Sequence, residues 1–375
     1  MRIDTVLLKV AGRCNLDCSY CYVYNLGNDS WRAMPKFMAL ETQESVAAQL
    51  GRLCIAQSQP FAVVLHGGEP LLLGPERLQT LFKILRGTLP KTCSISIQTN
   101  GVLITSDVLN LCAAFEVGLS VSLDGPAAVH DKHRVDLRGR ASHAAVTAGL
   151  SRLQRHPQSD ALFSGVLAVV DPTSDADEVY SYFQSLQLPS VDFLYRDGNR
   201  SILPFGKAGL DTTEYGRWMS IILDRYLTDR NPPRIRLLDD MMKLILGGVG
   251  VKEGIGLTDF GIVVIDTDGS ITKNDTLRST PLGDRFDGLW TVERDELAQI
   301  VRSPEFLAYH ALQRPTSFTC RACPELSVCG GGMLAHRFAL SNGYDNPSVF
   351  CSDQKWLIAR MRRYLVAHLA QRAAA

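Results

Sequence analysis

The chain alternates, up to about residue 210, between short apolar β-prone runs and longer segments with helical periodicity. Near-continuous apolar runs such as FAVVLH and SISIQ are typical of the strands of a parallel sheet that helices cover. Right-handed crossovers between six such units predict an α/β fold in which the strands curl into a partial (β/α)6 barrel of the TIM type. The predicted strands are 3–10, 61–66, 94–98, 119–123, 162–169 and 191–195, and the predicted helices are 41–57, 75–88, 105–116, 142–155 and 175–187.

The alternation stops after about residue 210. Helical patterns at 213–228 and 235–247 lead into a glycine-rich stretch, GGVGVKEGIG, and an Asp-Gly turn between GIVVI and SIT predicts a short hairpin. A basic amphipathic helix is predicted from about 354 to 370. We therefore predict a barrel over 1–212, a helical connection over 213–250 and a smaller C-terminal domain over 251–375.

Composition narrows the functional classes. The 375 residues are 46% hydrophobic, and 39 basic residues balance 39 acidic ones, so charge gives no reason to expect nucleic acid or a membrane as a partner. No signal peptide or long apolar run is recognisable, and we expect a cytoplasmic protein. In that reducing compartment the 10 cysteines indicate metal or redox sites rather than disulfides.

The first cysteine group, Cys14, Cys18 and Cys21, follows the first predicted strand as CxxxCxxC. Three thiolates in one loop can hold three corners of a cubic iron–sulfur cluster and leave the fourth iron open to a ligand. The alternatives are a structural zinc site or three unrelated buried thiols, but zinc normally requires a fourth ligand. The pattern therefore favours a reactive 4Fe–4S cluster.

Four further motifs follow the cysteines: HGGEP at 66–70, QTNG at 98–101, SLDGP at 122–126 and HDKHR at 130–134. Together with CNLDCSYCY, and in this order, they resemble the radical S-adenosylmethionine (radical SAM) enzymes. The resemblance implies that the open iron binds S-adenosylmethionine and that the cluster cleaves it reductively to a 5′-deoxyadenosyl radical. It also implies a reductant such as flavodoxin or ferredoxin.

The same resemblance assigns the residues that bind S-adenosylmethionine. Gly67–Glu69 would meet the methionyl amino group, Ser122 and Arg134 its carboxylate, and Tyr20 and Leu167 the adenine. Taken singly, each of these motifs is an ordinary turn after a strand, and only their order behind CxxxCxxC favours a binding role. The full predicted set is Tyr20, Gly67, Gly68, Glu69, Asn100, Ser122, Asp124, Arg134 and Leu167.

The second cysteine group is Cys320, Cys323, Cys329 and Cys351. Its spacing alone suits tetrahedral zinc as well as iron–sulfur. The segments FTCRACPELSVCGGGM and HRFALSNGYDNPSVFC resemble a SPASM domain, the smaller C-terminal iron–sulfur domain of many peptide-modifying radical SAM enzymes. Met333 and Asn274 stand where the full pattern has cysteines. The resemblance therefore implies one auxiliary 4Fe–4S cluster rather than two.

Within SPASM enzymes the C-terminal segment most resembles the cyclophane-forming maturases of the FxsB, GrrM and XyeB types. This implies a maturase of ribosomal precursor peptides (a RiPP maturase) that abstracts a side-chain β-hydrogen and joins that carbon to an aromatic ring. Because Cys14 comes so early, we expect the peptide to dock on the barrel, on the second domain or through a partner.

Two other functions remain open: oxidation of Ser or Cys to formylglycine in sulfatase maturation, and a non-catalytic iron–sulfur or zinc protein. Asp275 is the candidate catalytic base, because sulfatase-maturing relatives carry an acid at this place in the hairpin. Turn chemistry explains an aspartate there equally well.

Overall fold

The structure is a computed structural model that describes residues 1–27, 29–281 and 283–373. The strands are β1 Thr5–Ala11, β2 Ala62–Gly67, β3 Ile95–Thr99, β4 Val117–Ser122, β5 Phe163–Val169, β6 Val191–Leu194, β7 Ile262–Ile265 and β8 Ile271–Thr272. The α-helices are α1 Leu40–Gln57, α2 Gly74–Thr88, α3 Ser106–Ala114, α4 Ala127–His130, α5 His143–Gln154, α6 Ser159–Leu162, α7 Ala176–Ser185, α8 Glu214–Thr228, α9 Arg236–Ile245, α10 Leu297–Ile300, α11 Pro304–Ala311, α12 Phe318–Arg321, α13 Leu326–Cys329, α14 Leu334–Arg337 and α15 Cys351–Ala373. Short 3-10 helices cover Ser30–Arg32, Pro70–Leu73 and Asp275–Ser279.

Two compact units make up the chain. Unit 1 consists of residues 1–123, 130–167 and 260–310, and unit 2 consists of residues 124–129, 168–259 and 311–375. The alternating strands and helices predicted from periodicity are confirmed. The units divide the chain differently from the predicted domain boundaries, because residues 260–310 belong to unit 1.

The sheet of unit 1 has the strand order β5-β4-β3-β2-β1-β7-β8. Strands β1 to β5 pair in parallel, as near-continuous apolar strands joined by helices should. The predicted hairpin is present as β7 and β8, and β7 pairs in parallel with β1, from Thr5 opposite Ile262 to Leu8 opposite Ile265. The hairpin therefore continues the barrel sheet, which its sequence did not indicate.

Burial alternates along the parallel strands and distinguishes their two faces. In β2, Val63 and Leu65 are fully buried, whereas Val64 and His66 are half-buried. The same alternation in β3 and β4 places Gln98 and Ser122 among the half-buried side chains. We call this second face the inner face; it carries polar groups at the carboxyl ends of the strands, where a parallel barrel holds its reactive residues.

One buried glutamine connects α1 to the late segment of unit 1. The Gln49 side chain donates to the carbonyl oxygens of Val292 and Asp295 at 3.0 and 2.6 Å and accepts from the Leu297 N–H at 3.1 Å. Because a buried amide must satisfy its hydrogen-bonding groups, these contacts fix where residues 292–297 lie against the helix.

Unit 2 has its own core. Val170, directly after β5, donates its N–H to the Leu194 carbonyl, so β6 lies beside the end of β5. Aromatic rings of Tyr195, Tyr215 and Phe350 pack with centroids 4.8–5.3 Å apart. Among the described residues, no helix is long and apolar enough to cross a membrane.

A fully buried ion pair holds the start of α15 in unit 2. Lys207 Nζ lies 2.6 Å from Asp353 Oδ2, both side chains are 0% exposed, and Asp353 Oδ1 also accepts the Gly216 N–H at 2.9 Å. A buried carboxylate that loses its cation is left uncompensated in a medium of low dielectric constant.

We expect Lys207→Met to lower the free energy of unfolding by roughly 3–5 kcal/mol, since it leaves the buried Asp353 carboxylate without its cation. The matched control is Arg360→Met, because Arg360 pairs with Asp224 on the surface, where loss of a pair costs less than about 1 kcal/mol. Anaerobic urea unfolding followed by circular dichroism measures both. Equal, small losses of unfolding free energy in the two variants would contradict a stabilising role for the buried Lys207–Asp353 pair.

Candidate active site and metal centres

The loop that carries the first cysteine group begins where β1 ends. Its turns are closed by local hydrogen bonds: the Leu16 N–H lies 3.4 Å from Cys14 Sγ, and the Cys21 N–H donates to the Cys18 carbonyl at 2.9 Å. The Asn25 amide also donates to the Cys18 carbonyl, at 2.9 Å. The loop therefore presents the three predicted thiols together at the carboxyl end of the sheet.

The enclosure of these thiols fits a metal cluster. Burial raises the pKa of Cys14 to about 12, with Glu69 adding to the rise, and burial raises the pKa of Cys21 to about 11. The neighbouring Cys18 raises both values further, so the three sulfur atoms lie close enough to interact. Three thiolates here need a compensating cation, and a bound metal supplies one by displacing their protons.

The GGEP turn requires its glycines. Gly67 has φ +132°, and a Cβ on it would collide with the Ala11 carbonyl oxygen; a Cβ on Gly68 would collide with the Arg13 carbonyl oxygen. The Gly68 and Glu69 N–H groups donate to those same two carbonyls at 2.8 and 3.0 Å. The turn after β2 is thus pressed against the cysteine loop, which only glycine permits.

Glu69 connects three motifs through its buried carboxylate. Oε1 accepts from the Leu71 N–H at 2.9 Å and the Thr99 hydroxyl at 2.7 Å, and Oε2 accepts from the Asn100 N–H at 2.8 Å. Burial raises the pKa of Glu69, and these donors oppose that rise. The Asn100 amide reaches the cysteine loop, donating to Asn15 Oδ1 at 2.8 Å and lying 3.8 Å from Cys14 Sγ.

Arg134 and Tyr20 lie beside the same loop. The Arg134 guanidinium donates to the Tyr20 hydroxyl at 2.8 Å, and its charge acts on both Cys21 and Glu69. Ser122 accepts from the Gln98 amide at 2.8 Å and lies opposite Leu167 on the next strand. The structure thus brings Arg134 and Tyr20 to the cysteine loop and pairs Ser122 with Leu167 on the inner face.

Asp124 belongs to unit 2. Its Oδ1 accepts from the Val169 N–H at 3.0 Å, and its side chain is 5% exposed. This contact holds the turn after β4 to the end of β5.

The second cysteine group is built within unit 2. The Cys320 N–H is capped by Ser317, and the Cys323 N–H donates to the Cys320 carbonyl at 3.0 Å. Cys329 ends α13, and Cys351 begins α15. Burial raises the pKa of Cys329 to about 12, and the other three thiols of the group each add to that rise. All four predicted ligands are therefore electrostatic neighbours.

Glycine allows the sharp turn after Cys329. Gly330, Gly331 and Gly332 have successive φ angles of +66°, +86° and +72°, and a Cβ on Gly330 would collide with the Gly256 carbonyl oxygen. Three consecutive residues in this left-handed region would be strained with any other side chain.

Arg337 supplies a buried positive charge next to the second group. It is 1% exposed and donates to the carbonyls of Leu312, Gln313 and Gly332 at 2.9, 2.6 and 3.1 Å. Burial lowers its pKa to about 10, while Cys320 and Cys329 act in the opposite direction. A buried guanidinium beside thiolates suits an anionic centre.

Four thiolates suit a tetrahedral zinc ion as well as one cubic iron–sulfur cluster, since both accept four sulfur ligands. Among the residues that the structure describes, no three His, Cys, Asp or Glu side chains meet in a geometry that holds one metal ion.

Asp275 is buried in an ion-pair network in unit 1. Its Oδ1 lies 2.6 Å from Lys9 Nζ and 3.4 Å from Arg278 Nε, and its side chain is 1% exposed. The preceding Asn274 caps the 3-10 helix by accepting from the Thr276 N–H at 3.0 Å. The acid predicted as a base is thus held between two cations, and its role stays a prediction.

Sequence reasoning missed three residues around the site. Lys9 is a charged residue inside an otherwise apolar strand, and this alone could have marked it. His66 was read only as the first letter of HGGEP. Tyr24 has a buried hydroxyl with no hydrogen-bond partner among the described residues, next to Gly68. Nothing in the sequence distinguished it from a core aromatic residue.

Comparison with known proteins bears on these sites. Residues 8–183 match the model of the Radical SAM superfamily. A cysteine-type anaerobic sulfatase-maturating enzyme of Clostridium perfringens is 23% identical, over 94% of this chain and 94% of its own. The uncharacterized protein sll1766 of Synechocystis is 26% identical, over 89% of this chain and 84% of its own. Native anSMEcpe with bound AdoMet and Cp18Cys peptide has a TM-score of 0.80 at 20% identity, covering 98% of this chain and 99% of that one.

The predicted α/β barrel fold is confirmed by this structural likeness. The superfamily match confirms an enzyme whose cofactors are a 4Fe–4S cluster and S-adenosylmethionine.

Metal analysis tests the two cysteine groups. After anaerobic reconstitution we expect about eight iron and eight acid-labile sulfide per chain, and about four of each when either group is changed to alanine. Cys54→Ala, a half-buried thiol outside both groups, is the matched control and should retain about eight.

About twelve iron would indicate a third cluster. About four iron with zinc retained would make the second group a zinc site.

Proposed function

We propose that the chain, whose residues 8–183 match the Radical SAM superfamily, oxidises a peptide by removing a hydrogen atom from a side-chain β-carbon. The observation that carries this proposal is a convergence at one end of the unit 1 sheet. The cysteine loop, Glu69 and Arg134 lie there beside an inner face that ends in His66. A radical site with polar and basic groups next to it suits oxidation of a bound substrate.

In our proposal S-adenosylmethionine is held by the residues named from the sequence. The backbone of Gly67–Glu69 meets its amino group, Ser122 and Arg134 bind its carboxylate, and Tyr20 and Leu167 border its adenine. Asn100 shapes the turn after β3, and Asp124 shapes the turn after β4. When bound, the cluster and S-adenosylmethionine together supply the radical that takes the hydrogen atom.

The buried hydroxyl of Tyr24 supports this placement. It lies next to Gly68 and close enough to Cys14 and Cys21 for their charges to raise its pKa, although burial is the larger cause. A polar atom in such a position needs a hydrogen-bond partner. A bound cofactor at the GGEP turn would provide one.

For the product we propose a crosslink between the β-carbon and an aromatic ring, formed on a ribosomal precursor peptide. The distribution of cysteines supports it, because Asn274 and Met333 replace ligands of a full SPASM domain. Asn274 caps a 3-10 helix, and Met333 packs against Gly254. The remaining group, Cys320 to Cys351, would then hold the one auxiliary cluster, which could accept an electron from the substrate.

Oxidation of a cysteine or serine to formylglycine is the second candidate. It is supported by similarity along almost the whole chain to a sulfatase-maturating enzyme. It also requires loss of a β-hydrogen, a proton and an electron. The two candidates therefore share the same site and differ in the peptide and the product.

Peptide probes separate the candidates. We expect reduced holoenzyme with S-adenosylmethionine to form 5′-deoxyadenosine and to remove two hydrogen atoms from synthetic peptides that carry one Trp, Tyr or Phe near β-deuterated residues. Deuterium should appear in the nucleoside, and mass spectrometry should locate the crosslink. The variant with Cys14, Cys18 and Cys21 changed to alanine is the control and should form neither.

Replacement of sulfur by oxygen at the cysteine of the Cp18Cys peptide would favour formylglycine formation instead. Absence of nucleoside with every probe would contradict both candidates.

Binding of S-adenosylmethionine tests Arg134. We expect Arg134→Gln to weaken the affinity at least about tenfold, because a charge-assisted hydrogen bond contributes roughly 1.5–3 kcal/mol. Arg138→Gln removes an exposed arginine from the same loop and should leave the affinity unchanged. Equilibrium dialysis with the oxidised holoenzyme measures the dissociation constant, and equal affinities in the two variants would exclude the proposed contact.

A further inference from the structure

A buried charge network lies next to the inner face of unit 1. Lys9 and Arg278 are its cations, and Asp266, Asp275 and Asp284 are its carboxylates. All five side chains are between 1% and 3% exposed. Two cations against three carboxylates leave one negative charge in excess, which is costly in a buried site unless another cation is near.

His66 is placed to receive that missing positive charge. It lies opposite Lys9 in the register of β1 and β2, so both side chains project from the same face. The imidazole is half-buried, and its Nδ1 is buried with no hydrogen-bond partner among the described residues. His66 therefore has a polar atom that no described residue satisfies.

His66 has neighbours on β1, on β3 and on the 3-10 helix after β8. Lys9 faces it from β1 and Asp275 from the 3-10 helix after β8; these are the two charges that act on it. Gln98 follows Ile97, which pairs with Leu65, so it is the uncharged neighbour on β3. Asp266 lies near Lys9 and Arg278, and Asp284 lies near Arg278.

We propose that His66 accepts the proton that the peptide loses during oxidation, and that Asp275 stabilises the resulting imidazolium. This inference rests on the proposed function and adds a residue to it. A carboxylate near an imidazole stabilises the imidazolium that forms when the ring takes a proton, as the carboxylate of a catalytic triad does.

Asp275 itself is poorly placed to take that proton. Its carboxylate is 1% exposed and is enclosed between Lys9 and Arg278. A half-buried imidazole on the inner face is accessible to a substrate, whereas this carboxylate is not. The base predicted at Asp275 therefore acts through His66.

The oxidation balances with these groups. The β-carbon gives up a hydrogen atom to the radical that the cofactor supplies, and the carbon radical bonds to the aromatic ring. The ring then loses one electron to an oxidised iron–sulfur cluster or an external one-electron acceptor. It loses one proton to Nε2 of His66, and aromaticity returns. The peptide has lost two hydrogen atoms in all.

Asp275 and Lys9 act on the pKa of His66 in opposite directions, so mutation of each gives a separate test. Burial lowers the pKa of His66, so the imidazole is neutral and ready to accept; Asp275 raises that pKa and Lys9 lowers it. Product formation should fail as the pH falls below the pKa of His66. Asp275→Asn should move this acidic limb to lower pH, and Lys9→Met should move it to higher pH.

The activity experiment compares His66→Gln with wild type on the peptide probe that wild type oxidises. Glutamine keeps hydrogen-bonding atoms, but its amide does not accept a proton near neutral pH. We expect 5′-deoxyadenosine to form within about twofold of the wild-type amount while oxidised peptide falls about 100-fold, the typical contribution of a general base. Oxidised peptide at the wild-type level, with an unchanged pH profile, would overturn the proposal.

The matched control is His156→Gln. His156 is a half-buried histidine that contacts Asn110, and this variant should behave as wild type.

A second experiment needs no peptide. Diethyl pyrocarbonate modifies neutral imidazole, so the pH dependence of His66 modification in the holoenzyme, mapped by mass spectrometry, gives its midpoint. Opposite shifts of that midpoint in Asp275→Asn and Lys9→Met, with His156 unmoved, would support the coupling; equal midpoints would overturn it. If wild type oxidises no probe, the proposed function fails, and this measurement still decides the coupling of His66 to Asp275.

Discussion

At the carboxyl end of the unit 1 sheet, the buried carboxylate of Glu69 accepts hydrogen bonds from Leu71, Thr99 and Asn100. It thereby ties the end of β2 to the end of β3, and the Asn100 amide extends the connection to the cysteine loop. Each hydrogen bond to a charged group contributes roughly 1.5–3 kcal/mol, while an unsatisfied buried carboxylate would cost more. The position of the reactive loop therefore depends on this one side chain being fully satisfied.

Charge compensation is a feature of both cysteine groups, each within its own unit. In unit 1, Arg134 acts on Cys21 and Glu69; in unit 2, buried Arg337 acts on Cys320 and Cys329. Thiolates on a cluster carry negative charge into places from which water is excluded, and a nearby guanidinium offsets it. The network around Asp275 is the exception, because it keeps one negative charge in excess. Asp275 of this network raises the pKa of the neighbouring His66 and so opposes the larger, lowering effect of burial.

Much of the fold and of the cofactor site follows from local patterns. The periodicity of apolar residues predicted the strands and helices up to about residue 247, since neighbouring residues determine which face of an element is buried. CxxxCxxC and the motifs behind it occur at strand ends, where a parallel barrel collects its loops. The sequence singled out Asp275 by its position after the predicted hairpin. It did not show that Lys9 and Arg278 enclose the Asp275 carboxylate.

The sequence by itself determined the strands and helices up to about residue 247, the two cysteine groups and the order of the motifs, because these depend on spacing within short segments. Only the tertiary structure decided that β7 pairs with β1 and that Asp275 lies against Lys9. The same holds for His66, which faces both charges although Asp275 is far away in sequence. Contacts between distant segments depend on how the whole sheet is assembled, and no local pattern encodes which side chains will meet there.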